Sequence, residues 1–185
     1  MQDVILGIDV STSKIGLTIM DYNSNLIKCD VIKLDPKQSL EDRCIFFEDY
    51  ISRINSLNYI NNNKSYYIKE VFIEAPFMMF SGGKTTAMTM SKLQRFNGMI
   101  SYMIRRSLGL TPVLIAANKA RGVVGLKVKR GEKAKLKAIE WAQSEYPKDF
   151  IVEYTRYGNP KPGTDDRADS IVVAKAGLIM GDNNE

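Results

Sequence analysis

The chain contains no histidine in its 185 residues. That excludes Ser-His-Asp and Cys-His triads and any histidine-ligated zinc. Catalysis, if there is any, must rest on carboxylates, lysines or hydroxyls. Cysteine is almost absent as well. Cys29 and Cys44 form no metal-ligand spacing, and two cysteines in a chain of this size suggest buried thiols in a reducing compartment. No apolar stretch reaches the roughly 18 residues of a membrane span. The opening "MQDVILGIDVSTSK" has an acid ahead of its apolar run and no small-residue cleavage site, unlike a signal peptide. The expected setting is cytoplasm, with no membrane partner. Repeats, low-complexity tracts and linkers are also missing, so residues 1–185 are expected to form one domain with a core of its own.

Positive charge is present, and it is concentrated. Residues 118–137, "NKARGVVGLKVKRGEKAKLK", hold eight Lys or Arg against one acid, Glu132. That local +7 exceeds the chain total of +5, so everything else is net acidic. Such a block is commonly a solvated face, but it is also the electrostatic footprint of a nucleic-acid binder.

Apolar patterning gives the element order. "VILGIDV" (4–10) reads as a strand buried on both faces, followed by strands at 15–21 and 26–34 in a meander. Ser39 can cap a helix with Asp42 at its third position. Leu40, Cys44, Phe47, Ile51 and Ile54 then recur at helical spacing. "KEVFIEAP" (69–76) reads as a buried strand and 111–117 as another short one; a helix is expected between them over about 85–108. Two more helices are expected over about 132–145 and 165–180. The order β-β-β-α-β-α-β-α-α suits an α/β fold, a mixed sheet with helices on both faces.

Asp9 and Glu74 interrupt otherwise apolar strands. A charge there costs several kcal/mol unless it is paired or binds a metal. Residues 163–170, "GTDDRADS", add Asp165, Asp166 and Asp169 just ahead of the apolar run "IVVAKAGLIM". Acids in a first helical turn are favoured by the helix dipole, which accounts for Asp165 and Asp166 but less well for the deeper Asp169. Asp166 and Asp169 share a helix face, from which Asp165 points away. Four acids converging from two strands and a helix would repel unless cations sat between them. Oxygen ligands without histidine or clustered cysteine select Mg²⁺ or Mn²⁺. Two such ions clamp the attacking and leaving oxygens of a phosphoryl displacement.

These motifs, in this order, resemble the RuvC-type Holliday junction resolvases of the RNase H-like nuclease superfamily. "ILGIDVSTSKIGLTI" is similar to that family's first hairpin, with its catalytic Asp and later Gly. "VFIEAPF" is similar to its Glu-bearing fourth strand, "AANKARGVVG" to the segment after the fifth strand, and "DDRADSIVVAKAG" to the last helix with its D-x-x-D motif. The resemblance implies an RNase H-like five-stranded sheet, with Asp9, Glu74, Asp166 and Asp169 as ligands of two Mg²⁺ ions, for which Mn²⁺ can substitute. These ions activate water and stabilise the leaving 3′ oxygen. It also implies Phe77 as an aromatic wedge in the junction and Lys119, Arg121, Lys127, Lys129 and Lys133 as phosphate contacts. Phe77 also reads as a core residue beside Met78 and Met79. The implied partner is branched DNA, a four-way junction nicked symmetrically by a homodimer. The 85–108 helix, with Met88, Met99 and Met103, is the candidate interface, although core positions also explain those methionines. The chain departs from the D-P-G-S that follows the first strand in many members, having Asp9-Val10-Ser11-Thr12-Ser13 instead. Compact size and an Asn/Lys-rich composition suit a phage member acting in host cytoplasm, or a low-GC bacterial one. Two alternatives remain at this stage. One is a nuclease of the same fold acting on an RNA–DNA hybrid, a flap or structured RNA; the other is a non-catalytic nucleic-acid-binding module. Sugar-kinase and actin-type ATPases share an Asp-bearing first hairpin but need two such domains.

Overall fold

The computed structural model describes residues 2–56, 60–61, 64–76 and 86–182. Three strands form the expected meander: β1 (Gln2–Val10), β2 (Lys14–Asp21) and β3 (Leu26–Lys33), paired antiparallel. Helix α1 (Leu40–Ser56) follows, and the Ser39 hydroxyl accepts from the Asp42 N–H at 3.0 Å, as its sequence position predicts. A two-residue strand β4 (Ile60–Asn61) pairs with the start of β5 (Lys64–Glu74). β5 lies parallel to β1 over most of its length. Helix α2 (Ala87–Leu108) leads to β6 (Val113–Ile115), which extends the sheet beyond β5. Helices α3 (Ala117–Val123), α4 (Ala134–Glu145) and α5 (Thr164–Asp182) complete the described chain. The main sheet therefore runs β3-β2-β1-β5-β6, five strands.

Side-chain parity divides the core. On β1, Val4, Leu6, Ile8 and Val10 face α1 and α2 together with Ile15, Leu17 and Ile19 of β2 and Val71 and Ile73 of β5. Ile5, Met20 and Phe72 face the other way, onto α3, α4 and α5. The stripe Leu40, Cys44, Phe47, Ile51 and Ile54 is buried against the first layer. Helix α5 is apolar all round and buried, with Ile171, Val172, Val173, Ala174 and Ala176 each at most 2% exposed.

The structure departs from the sequence reading in four places. The strand expected at 69–76 begins at Lys64, five residues earlier, and is fronted by the short β4 hairpin. The 111–117 strand is not buried: Val113 and Leu114 are exposed and only Ile115 is covered, because β6 pairs with β5 alone among the described strands and lies at the sheet edge. Part of the basic segment is helical, as α3, whose Ala120 is buried beneath α5. Of the two thiols, Cys44 is buried but Cys29 is only half-buried.

Candidate functional site

The same parity places the candidate residues. Asp9 shares a face with Ile5 and Gly7, Glu74 with Phe72, and Lys14 with Gly16 and Thr18; all of these point to the α5 side at one end of the sheet. Helix α5 begins at that end, so Asp166 and Asp169 lie over it, both 4% exposed.

Two glycines make this approach close. Asp9 pairs across the β1–β2 ladder with Gly16. A Cβ on Gly16 would lie 2.0 Å from the carbonyl oxygen of Asp166. A Cβ on Gly7 would lie 2.4 Å from the Ser170 carbonyl oxygen and 2.5 Å from the Ala174 methyl. The backbone of α5 thus rests directly on the first hairpin. Thr18 and Ser170 share a buried hydrogen bond of 2.8 Å that fixes the register. On the far side, the Asn97 side chain, buried in α2, donates to the Glu74 carbonyl at 3.1 Å and holds the end of β5.

The carboxylates divide into two kinds. Asp166 pairs with Lys14 at 3.3 Å, and Asp169 with Arg121 at 3.5 Å. Among the described residues, no group donates a hydrogen bond to the side chain of Asp9 or Glu74, and neither forms an ion pair. Asp21 provides the contrast. It is buried where Asp9 and Glu74 are half-buried, and it accepts from the N–H groups of Asn23 and Asn25 and from the side chains of Gln2 and Asn25, so the turn and the start of β1 satisfy it.

Electrostatics follow this geometry. Burial, and then the charges of Glu74, Asp169 and Asp166, push the Asp9 carboxyl well above the usual carboxylate range, with Lys135 opposing. Burial and Asp169 push Glu74 up to about 7 against Arg121 and Lys135. Asp169 is also raised, by burial first, while Arg121 and Lys135 oppose. Lys135 completes the set by donating to Asp165 at 2.5 Å. Burial works against the charge on Lys135, but Asp165, Asp166 and Asp169 together raise its pKa.

Of the residues singled out from sequence, the structure brings together Asp9, Glu74, Asp166, Asp169 and Arg121. Arg121 is therefore a counter-ion inside the acidic site. Lys119, Lys127, Lys129 and Lys133 are exposed on α3 and the following loop, with no contact to the acids. Phe77 lies outside the described residues. Asp165 points away from its neighbours, as its helix position predicts, and takes Lys135 as partner. Lys14, Lys135 and Asn97 were missed. Lys14 had a faint signal, since it opens the strand facing the acid-bearing one.

The donor set fits a divalent cation: a cluster of carboxylates, two of them without a partner among the described residues, and no nitrogen or sulfur ligand beside them. Among the described residues, no three acids close to metal-ligating distance in this arrangement, in which Lys14 and Arg121 supply the neutralising charge.

A sheet ordered β3-β2-β1-β5-β6, with acids closing the first and fifth strands and opening the last helix, defines an RNase H-like α/β fold. Two solved structures share it over nearly their whole length. One is Thermus thermophilus RuvC in complex with a Holliday junction substrate, at TM-score 0.65 and 13% identity, covering 98% of this chain and 96% of that one. The other is Thermus thermophilus RuvC alone, at TM-score 0.64, 14% identity and the same coverage. At such identity the likeness is one of fold. No protein-family model and no curated protein sequence matches the chain. No described helix is long and apolar enough to cross a membrane.

Proposed function

We propose that the chain is a divalent-metal-dependent DNA endonuclease that resolves four-way junctions by paired symmetric nicks. The observation that carries this reading is a pair of carboxylates, Asp9 and Glu74, that have no partner among the described residues and share one end of an RNase H-like sheet with Asp166 and Asp169. Half-buried and close to two further acids, these carboxylates remain open to a cation from solvent, whereas buried Asp21 is satisfied by its own surroundings.

Asp9, Glu74, Asp166 and Asp169 would hold the metal, Mg²⁺ with Mn²⁺ as substitute, two ions to the site. Bound there, the metal supplies Lewis-acid stabilisation of the attacking and leaving oxygens. Water adds to phosphorus, the P–O3′ bond breaks, and the strand ends as a 3′ hydroxyl and a 5′ phosphate. Lys14 and Arg121, released from Asp166 and Asp169, are positioned to meet the non-bridging phosphate oxygens; Arg121 offers a planar fork and Lys14 a point charge. Lys119, Lys127, Lys129 and Lys133 hold the backbone farther out, and Phe77 serves as the wedge at the branch. Two copies would act together, with α2 as the contact surface; its Met88 and Tyr102 are 81% and 63% exposed, while Met99 and Met103 are half-buried against the core.

The ion pairs Lys14–Asp166 and Arg121–Asp169 also favour a second reading, in which the acids are architecture and the basic segment alone binds nucleic acid. A gel assay separates the two. A labelled four-way junction is incubated with Mg²⁺ or EDTA, beside linear duplex and RNA–DNA hybrid. Paired nicks in the junction, only with metal, are expected, and Asp9→Asn, Glu74→Gln or Asp169→Asn should abolish them while junction binding remains. Full cleavage by any of these variants would remove the metal-site assignment. Equal cutting of the hybrid would move the substrate to RNA–DNA. Binding without any nick would establish the architectural reading.

A further inference from the structure

Beside the acidic cluster, a cavity of about 520 Å³ opens between the start of α4 and the 159–162 segment. Its size lies within the roughly 300–1,000 Å³ of small-molecule sites. One wall is apolar, formed by Leu136, Ile139, Pro160 and Pro162. Lys133 and Lys161 stand at its rim. Lys161 already pairs with Glu153 at 2.8 Å, whereas Lys133 forms no ion pair with any described residue. The far wall is Lys135 and Asp165, the pair whose charges act on Asp166 and Asp169. Cavity and acidic cluster therefore have Lys135 and Asp165 in common as neighbours.

The cavity is preformed. Backbone bonds from Thr155 N–H to Asn159 oxygen (2.7 Å) and from Lys161 N–H to Glu153 oxygen (2.8 Å) brace the proline-containing wall. At the opposite side, α4 starts with no capping side chain and no acid in its first turn, and Lys133 occupies the cap position. Cations there oppose the helix dipole, a local conflict that an incoming anion relieves. A lining that combines Leu136, Ile139 and two prolines with lysines, next to the acidic cluster, suits an apolar ring attached to a phosphate.

We propose that this cavity holds one unpaired nucleotide of the cleaved strand, with its base against Leu136, Ile139 and the prolines and its phosphate at Lys133. The proposal rests on the nuclease reading for its place beside the scissile bond. It makes the cavity the element that selects which base flanks the cut, since a base is read by the slot it enters.

The test is a methyl-NMR titration of the full chain in EDTA with thymidine 5′-monophosphate, thymidine and inorganic phosphate in turn. The monophosphate is expected to shift the Leu136 and Ile139 methyl resonances saturably, while inorganic phosphate leaves them in place. Leu136→Trp, at a position 43% exposed that tolerates a larger side chain, should weaken the nucleotide at least about tenfold by filling the slot. Lys133→Gln should weaken the monophosphate but not thymidine. No shift of these methyls, or an unchanged affinity in Leu136→Trp, overturns the proposal; equal response to inorganic phosphate reduces the site to an anion contact and also overturns it. The titration needs no cleavage, so a protein that cuts junctions without these shifts loses only the nucleotide site. A protein that shows the shifts but cuts nothing loses only the nuclease reading. On junctions varied at the branch, Leu136→Trp should spread cleavage over sites that the parent chain discriminates.

Discussion

Glu74 shows how a single side chain can oppose folding and still be kept. In the unfolded chain it ionises near its ordinary value of 4.5, whereas burial and Asp169 raise it to about 7 in the folded protein. The folded state therefore binds the extra proton across that window. Its contribution to stability is present at low pH and is lost as pH rises through about 7. At pH 8 in EDTA, Glu74→Gln is expected to be more stable than the parent chain by about 1–3 kcal/mol, measured by urea unfolding. An equal or lower stability would mean that the folded protein does not strain this carboxylate. Arg121→Gln should act in the opposite direction and lose about 1–3 kcal/mol under the same conditions, because Asp169 is left buried without its counter-ion. Saturating Mg²⁺ should shrink both differences by supplying the missing charge, and calorimetric Mg²⁺ affinity should climb with pH through about 7 as protons leave. Asp9 and Glu74 were legible in the sequence because a charge inside an apolar strand is conspicuous. Lys14, Lys135 and Asn97 were not. A lysine opening a strand, another in a basic block and an amide on a helix are ordinary locally, and only the fold turns them toward the acids.

At the scale of elements, the contact between β2 and α5 sets the site. Gly16→Ala would drive a methyl into the Asp166 carbonyl, so a loss of about 1–3 kcal/mol or more is expected in denaturant unfolding, accompanied by weaker Mg²⁺ binding. Gly98→Ala is the control. It is exposed on α2, where an added methyl meets no described atom within 4 Å beyond its chain neighbours and the helix's own backbone, and the change should gain up to about 1 kcal/mol. A neutral Gly16→Ala would mean that α5 does not sit as closely as described. Elements with a clear period were readable in advance: the α1 stripe and the β1 run landed where expected. The 111–117 run misled because three apolar residues on a sheet edge look like three in its centre. Helix α3 was hidden because its buried face is essentially Ala120, too small to set a period among lysines.

Across the whole molecule, positive charge is concentrated in one segment. The surplus of positive charge lies on α3, on the loop after it and in the first turn of α4, and from it Arg121 and Lys135 reach the acidic end of the sheet. Junction binding should therefore fall steeply with salt. Replacing Lys127, Lys129 and Lys133 by Gln should flatten the slope of log K against log salt by about 0.9 for each residue that contacts a phosphate. An unchanged slope in the triple variant would place the DNA elsewhere.

The four acids stand at positions 9, 74, 166 and 169, and the helix that brings the last two rests on the hairpin that bears the first. During synthesis, at roughly 5–20 residues per second, the first strands leave the ribosome well before their counterpart. Until α5 emerges and docks, the hairpin exposes its glycine face and the four acids are not together. Any activity that needs all four would therefore appear only once that helix has settled on the hairpin, however early the first strands have folded.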